Sequence, residues 1–300
     1  MNIINNLATQ LRRGLNECQD YNYISPKQRG CSIPFVVHQS YPKKNLSIEL
    51  KENINALKLV NPDWEFKLYD DDDIERYIES NYPDLIKIYK KINPKYGAAR
   101  VDFFRYLLIY NEGGVYLDIK SSLSKPLNQI IQKNDQYLLS HWQNDIGDPH
   151  ENSGIYVDLP NCFGEFQQWY IASIKGHPFL KSVIENVCNN IVRYNPYLHH
   201  TGQTGVFRVT GPIAYTLAIL PHLAQHPHRL ARSNNELNFV YSIFSNDKNY
   251  KHRSLFKNHY SSLNESVTKM NYFSRLIFKF FQPIKDWLIS VTKRIGHQKL

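Results

Sequence analysis

The 300-residue chain has no run of 18 uninterrupted apolar residues, so no membrane-spanning helix is expected. Cysteine is scarce. Cys18, Cys31, Cys162 and Cys188 are too scattered for a zinc site, and their spacing does not suggest a secreted disulfide framework. Reduced thiols in a cytoplasmic protein are the expectation. The opening MNIINNLATQLRRGL lacks the apolar core of a signal peptide. There is no internal repeat, no long Lys/Arg run and no recognisable nucleic-acid module. Nucleic acid is therefore not the expected partner, although the formal net charge is +9 and the pI about 9.2. That basic balance instead points to phosphate-bearing small molecules or an acidic membrane surface. The chain is rich in tyrosine, with 21 residues suited to stacking on sugars and bases.

A βαβ unit opens the regular part. Residues 33–38 (IPFVVH) form a compact β-branched and aromatic run that reads as a buried strand. Residues 46–60 carry Leu46, Leu50, Ile54 and Leu57 at helical spacing, and residues 64–69 (WEFKLY) alternate as the next strand. A parallel strand pair follows from that order. The four carboxylates of 70–73 suit a helix start, where Asp caps free N–H groups and favours the dipole, better than a metal site.

The most informative stretch is 96–127, YGAARVDFFRYLLIYNEGGVYLDIKSSLSKPL. A helix is expected over 98–110, ended by Gly113-Gly114, with a strand over 115–117 and Asp118 at its carboxyl end. Ligands of open α/β sheets bind outside the carboxyl ends of strands. Asp102 and Arg105 lie three apart and share a helical face. Such a pair commonly locks a helix to its neighbour. The same residues can also accept from ribose hydroxyls and grip phosphate oxygens as a fork. A carboxylate at the strand tip can hold a divalent cation or a sugar hydroxyl. The three together, with the glycine pair between them, point to a site.

Further on, residues 137–139 are expected as a strand, 141–160 as a loop region able to carry acceptor contacts, and 166–174 and 179–192 as regular elements. The glycine- and threonine-rich 199–212 is expected as a loop opening a helix at Ile213, whose start offers backbone donors. Residues 271–300 place Phe273, Ile277, Phe280, Trp287 and neighbours on one face, with six Lys/Arg against one Asp. That is a basic amphipathic helix suited to an anionic membrane surface, or to docking on the protein's own core.

These blocks resemble the family 32 glycosyltransferases, the group with the sugar-binding region containing a D-x-D motif. The resemblance runs over roughly 32–215. It is carried by IPFVVHQSY, NPDWEFKLYDDDD, AARVDFFRYLLIYNEGGVYLDIKSSLSKPL, QQWYIASIKGHPFL and VTGP. It implies an α/β fold with a GT-A-like, Rossmann-type mixed sheet flanked by helices, here with a C-terminal amphipathic helical extension. The expected organisation is an N-terminal helical or linker segment (1–30), the transferase domain (31–265) and the basic helix (266–300).

The resemblance also implies an enzyme that takes a nucleotide-sugar donor and transfers a hexosyl unit with retention. The acceptor would be a glycan or lipid-linked oligosaccharide, of a capsular polysaccharide, lipopolysaccharide or similar surface glycan. A cytoplasmic protein, peripheral on the inner face of the membrane, fits such an acceptor. By position, Asp102, Arg105, Tyr116 and Gly114 would bind the donor, His38, Gln39 and Tyr41 would lie near the base, and Asp118 would be the first Asp of D-x-D. Lys120 stands where the second Asp is usual. Either Asp118 holds Mn²⁺ or Mg²⁺ with other ligands, or Lys120 itself neutralises the diphosphate. Asp118 and Lys120 would thus assist the leaving group, and His259 resembles a late His that closes over the diphosphate. Three other readings stay open: a protein-modifying, toxin-like glycosyltransferase, a decayed glycan-binding protein, and a nucleic-acid-binding protein suggested by charge alone.

Overall fold

The computed structural model describes residues 22–148, 150–160, 163–244 and 260–270. The expected N-terminal segment up to residue 21, His259 and the amphipathic helix over 271–300 lie outside these residues. The described residues up to Val267 belong to one compact unit.

The opening βαβ unit forms as the periodicity requires. Strand β1 (Val36–Ser40), helix α1 (Ile48–Val60) and strand β2 (Glu65–Tyr69) follow in order, and β1 and β2 are parallel. β1 starts later than the apolar run does. Pro34 has no N–H to offer a ladder, and the Val36 N–H turns back to the Pro34 carbonyl at 2.8 Å. The acidic run behaves as a cap: Asp70 and Asp73 exchange side-chain and backbone bonds in a capping box at the start of α2 (Asp71–Asn81). Short α3 (Ile86–Lys91) leads to α4 (Gly97–Glu112). α4 is apolar on nearly every side and accordingly lies inside the molecule, with every residue from Asp102 to Tyr110 buried.

After α4 come β3 (Gly114–Leu117), β4 (Ser122–Leu123), α5 (Leu127–Ile130), β5 (Tyr137–Ser140) and β6 (Tyr170–Ser173). Then follow α6 (Pro178–Val192), α7 (Pro196–His199), α8 (Gly202–Val209), α9 (Pro212–Ile219), β7 (Arg229–Ala231) and β8 (Phe239–Val240). The main sheet runs β2-β1-β3-β6-β5-β7. β3 is parallel to β1, β7 is parallel to β5, and β6 lies antiparallel between β3 and β5. A small antiparallel pair, β4-β8, sits beside it. This is the expected mixed α/β sheet flanked by helices.

The core has two main halves. One gathers α2, α4, α6, α8 and α9 around Phe103, Tyr106, Tyr110 and Phe179. The other joins α1 to β4-β8 through Leu57, Trp64, Leu117, Trp169 and Phe239.

Two expectations need correction. Residues 199–212 are not one loop: α8 occupies Gly202–Val209. Gly205 lets that helix close on the preceding turn, since a Cβ there would sit 2.6 Å from the His200 carbonyl oxygen. Likewise 166–174 is not regular throughout, because β6 covers only Tyr170–Ser173.

Candidate active site

The site sits where α4 meets the carboxyl end of β3, and the glycine pair makes that meeting close. Gly114 has φ +93°, and a Cβ there would lie 2.6 Å from Val36 Cγ1 and 2.7 Å from the Val36 carbonyl oxygen. Only glycine lets β3 approach β1 at that point. Gly114 thus positions Asp118, four residues on, as part of the framework.

Arg105 is the centre. Its Nη2 lies 3.1 Å from Asp118 Oδ1 and 3.4 Å from Asp102 Oδ1. Nη1 donates to the Gln168 carbonyl at 2.8 Å. The guanidinium stacks 4.5 Å above the Tyr116 ring, and the Tyr116 hydroxyl in turn bonds Ser40 Oγ at 2.7 Å. Asp102 accepts from Gln168 Nε2 at 3.2 Å and from Thr210 Oγ1 at 3.0 Å. Both Asp102 and Arg105 are buried, with exposures of 3% and 5%. Burial pushes the Asp102 carboxyl up to about 6, against the pull of Arg105, Gln168 and Thr210. Burial would lower Arg105, but Tyr116, Asp118 and Asp102 outweigh it and hold the guanidinium above its ordinary value.

Asp118 and Lys120 form the rim. Asp118 is held by its own N–H, which donates to the Trp169 carbonyl across the β3-β6 pair at 2.9 Å. The side chains of Asp118 and Lys120 are 23% and 17% exposed, so both reach solvent. Lys120 Nζ lies 3.9 Å from Asp118 Oδ2, donates to the Tyr241 hydroxyl at 3.1 Å, and sits 4.2 Å over the Tyr241 ring. Burial opposes its charge, yet Tyr241 and Asp118 raise its affinity for the proton.

The remaining expected residues part company at the end of β1, because successive strand residues face opposite sides of a sheet. His38 is buried, with Nδ1 3.1 Å from the Tyr69 hydroxyl, and a Cβ on Gly114 would meet its Nε2 at 3.4 Å. Burial, with Lys67, drives its basicity down to about 4, so it stands neutral as a brace under the glycine pair. Gln39 turns to the α1 side and lines a cleft with Lys44, Lys51, Lys58 and Lys67. It is not brought together with Asp102 and Arg105. Tyr41 packs with Leu46, Leu50 and Ile119, next to Asp118 in the chain.

Three residues join the site that residue types alone did not single out, and a fourth, Glu165, lies near it behind Trp142. Gln168 and Thr210 hold Asp102 and Arg105; both lie in blocks that carry the family resemblance, QQWY and VTGP, so a signal existed. Tyr241 had no local signal. Glu165 is buried beside the 141–160 loop, accepting from Trp142 Nε1 at 2.6 Å while its N–H donates to the Gly154 carbonyl. Burial pushes its carboxyl up to about 7, against bonds from Trp142 and Tyr156.

The donor set fits a divalent cation poorly. Among the described residues no group of three or more His, Cys, Asp or Glu side chains converges. Asp102 is turned to Arg105, Gln168 and Thr210, and Asp118 already faces a cation on each oxygen. A doubly charged ion about 4 Å from an ammonium meets a repulsion of about 8 kcal/mol at an effective dielectric of 20. A carboxylate ligating that ion at about 2.1 Å attracts it by about 16 kcal/mol on the same scale, so the ammonium cancels about half of what Asp118 could supply.

Comparison with known proteins agrees with the class this geometry suggests. The family model described as "glycosyltransferase sugar-binding region containing DXD motif" matches residues 47–138, which include Asp102, Arg105, Asp118 and Lys120. The chain is similar to the inositol phosphoceramide mannosyltransferase 1 of Schizosaccharomyces pombe, 26% identical over 203 residues that make up 67% of this chain and 55% of that protein. It is also similar to the initiation-specific alpha-1,6-mannosyltransferase of Candida albicans, 30% identical over 155 residues, 50% of this chain and 38% of that one. The chain thus spans about half the length of the curated relatives it matches. Among solved structures, "PaToxG Glycosyltransferase" aligns over 75% of this chain and 81% of that chain, at 16% identity and a TM-score of 0.43.

Proposed function

We propose that this chain is a retaining glycosyltransferase that moves a hexosyl unit, mannosyl foremost, from a nucleoside diphosphate sugar to a hydroxyl of a glycan or sugar-bearing lipid. The observation that carries the reading is the Arg105 constellation. A buried guanidinium is held by Asp102, Asp118, Tyr116 and the Gln168 carbonyl at the carboxyl end of β3, and all of these but Gln168 lie inside the stretch the family model matches. The mannosyl preference comes from the names of the relatives, and retention from the family resemblance.

The chemistry asked of the site is modest. The bond from the sugar's anomeric carbon to the phosphate oxygen breaks, and the nucleoside diphosphate leaves with the electron pair. A bond from the acceptor oxygen to the same carbon forms, and the hydroxyl proton is released. Arg105 and Lys120 supply positive charge where the leaving group becomes more negative. Asp118, at the rim, accepts from donor hydroxyls while buried Asp102 holds Arg105 from within, and the 141–160 loop offers a surface for the acceptor. A capsular polysaccharide, lipopolysaccharide or similar surface glycan is an acceptor of this kind; an inositol phosphoceramide, named in one relative, is a lipid one. Work at the cytoplasmic face of a membrane, with 271–300 as the surface anchor, suits both. Among the described residues no helix is long and apolar enough to cross a membrane.

The test is turnover. Purified protein is offered GDP-mannose and the common UDP-hexoses with glycan and glycolipid acceptors, and the anomeric configuration of the product is read by NMR. Release of nucleoside diphosphate with an α-linked product from an α-linked donor supports the proposal. A folded protein that neither binds nor turns over any of these donors overturns it.

A further inference from the structure

The ammonium of Lys120 is built in at both ends. Its Nζ is fixed by the Tyr241 hydroxyl at 3.1 Å and by the Tyr241 ring at 4.2 Å. Its backbone is fixed to the same segment, since the Lys120 carbonyl accepts from Ile243 N at 2.9 Å and Ser121 Oγ donates to the Tyr241 carbonyl at 2.7 Å. On the other side of Asp118, Arg105 Nη2 stands 3.1 Å away while Lys120 Nζ stands 3.9 Å away. The two oxygens of Asp118 therefore look at two different cations, one from α4 and one from the turn after β3.

We infer that the diphosphate of the donor is neutralised by Lys120 and Arg105, and that no divalent cation takes part in holding it. The inference rests on the glycosyltransferase reading above and specifies the chemistry of that same site. A diphosphate brings two or more negative charges to a region where two fixed cations face a single exposed carboxylate. Fixed charges need no reorganisation when the ligand arrives. A dication at the same point would have to displace or repel both side chains, and the convergent carboxylates that would hold it are missing among the described residues. Tyr241 belongs to the arrangement: its ring and hydroxyl keep the ammonium from folding down onto Asp118, to which its contact is long.

Calorimetric titration with UDP and with GDP, each in EDTA and in millimolar Mn²⁺, decides the matter. Wild-type protein is expected to bind one of them equally tightly in both buffers. Lys120→Ala should weaken that diphosphate by about tenfold or more, the scale of one charge-assisted hydrogen bond. Binding of the matching nucleoside, uridine or guanosine, should stay unchanged, a split that a merely structural lysine would not produce. Lys120→Asp, which restores the second carboxylate, should bind the diphosphate only with Mn²⁺, and Lys120→Arg should stay metal-independent. If Lys120→Ala fails to fold, the wild-type comparison and the other two variants still decide.

Wild-type binding that requires Mn²⁺ overturns the inference and leaves the transferase reading intact. So does a folded Lys120→Ala with wild-type affinity for the diphosphate. Absence of binding by either diphosphate in either buffer overturns both.

Discussion

Replacing Arg105 by Met tests whether the buried pair behaves as its geometry requires. Met fills much of the volume and removes the charge. Four contacts go with it: Asp102 at 3.4 Å, Asp118 at 3.1 Å, the Gln168 carbonyl at 2.8 Å and the Tyr116 ring at 4.5 Å. The largest consequence falls on Asp102, which is buried and would be left as an uncompensated charge. Breaking a buried pair in this way costs about 3–5 kcal/mol. A carboxyl has an escape, however, which is to take up a proton. In the intact protein Asp102 already sits at about 6 in the folded state, against an ordinary value of 3.8. The groups facing it are Arg105, Asp118, Gln168, Thr210, Tyr106, Tyr116 and Tyr260. Removing the only cation among them can only push the value further up.

The direction with pH follows from linkage. An acid whose folded value is raised contributes its stability in full below the unfolded value and loses it as pH rises through the folded value. For the intact protein that loss runs from about pH 4 to pH 6 and amounts to about 3 kcal/mol. For Arg105→Met the loss continues to higher pH. The destabilisation caused by the substitution should therefore be about 1–3 kcal/mol near pH 4.5, the worth of the lost Gln168 hydrogen bond together with the Asp118 and Tyr116 contacts. It should grow to about 3–5 kcal/mol at pH 8. Urea unfolding across that range measures it. Adding Asp102→Asn should remove most of the pH 8 penalty, because the charge that suffers is gone. A pH-independent penalty, or one that is strictly additive with Asp102→Asn, would refute the reasoning.

Asp118→Asn should abolish sugar transfer while changing stability by less than about 1 kcal/mol, since the amide oxygen can still accept from Arg105 and the side chain is partly exposed; assays of turnover and thermal melting check both halves, and near-normal turnover would remove Asp118 from the site. Glu165→Gln keeps an acceptor for Trp142 Nε1 and discards a carboxyl that burial holds at about 7. Because that raised value costs the wild type stability between about pH 4.5 and pH 7, the variant should be more stable by about 3 kcal/mol at pH 8 and equal near pH 4.5; equal melting curves at pH 8 would contradict the burial argument. Gly114→Ala forces a Cβ into Val36 at a φ of +93° and should cost about 2–4 kcal/mol in unfolding measurements.

The parts legible in the sequence are those whose causes are local. Alternation and helical spacing locate β1, α1 and β2 within a few residues, and the acidic run announces its cap because capping is a contact three residues long. Asp102 and Arg105 are visible as a pair for the same reason, being one helical turn apart. The strand order is not local. Nothing in YIAS says that β6 inserts antiparallel between β3 and β5. The splitting of His38 from Gln39 follows from the pleat, but which side faces α4 depends on packing. Tyr241 reaches Lys120 across 121 positions of chain. Its partner is decided by the β4-β8 pairing, Ser122 with Val240 and Leu123 with Phe239, which no window around either residue reveals.

The contrast between Arg105 and Lys120 bears on how such a site is assembled. Arg105 is inside the protein and almost wholly committed: carboxylates, a carbonyl and a ring hold four sides of it before any ligand arrives. Its Nε finds no hydrogen-bond acceptor among the described residues. A cation held that firmly cannot travel to a leaving group; it sets the potential and keeps Asp118 in place. Lys120 is less committed: its side chain is 17% exposed, Tyr241 holds its ammonium, and its contact with Asp118 is long at 3.9 Å. A ligand phosphate can therefore meet the ammonium where Tyr241 holds it, whereas shifting Arg105 would leave buried Asp102 without its cation. If that division holds, Tyr241→Phe, which keeps the ring and removes the hydroxyl, should leave stability within about 0.5 kcal/mol. It should change diphosphate affinity by less than the loss of Lys120 does, whereas Arg105→Met should lose affinity and stability together. A Tyr241→Phe protein as impaired in binding as Lys120→Ala would mean that the hydroxyl, and not the ammonium, meets the ligand.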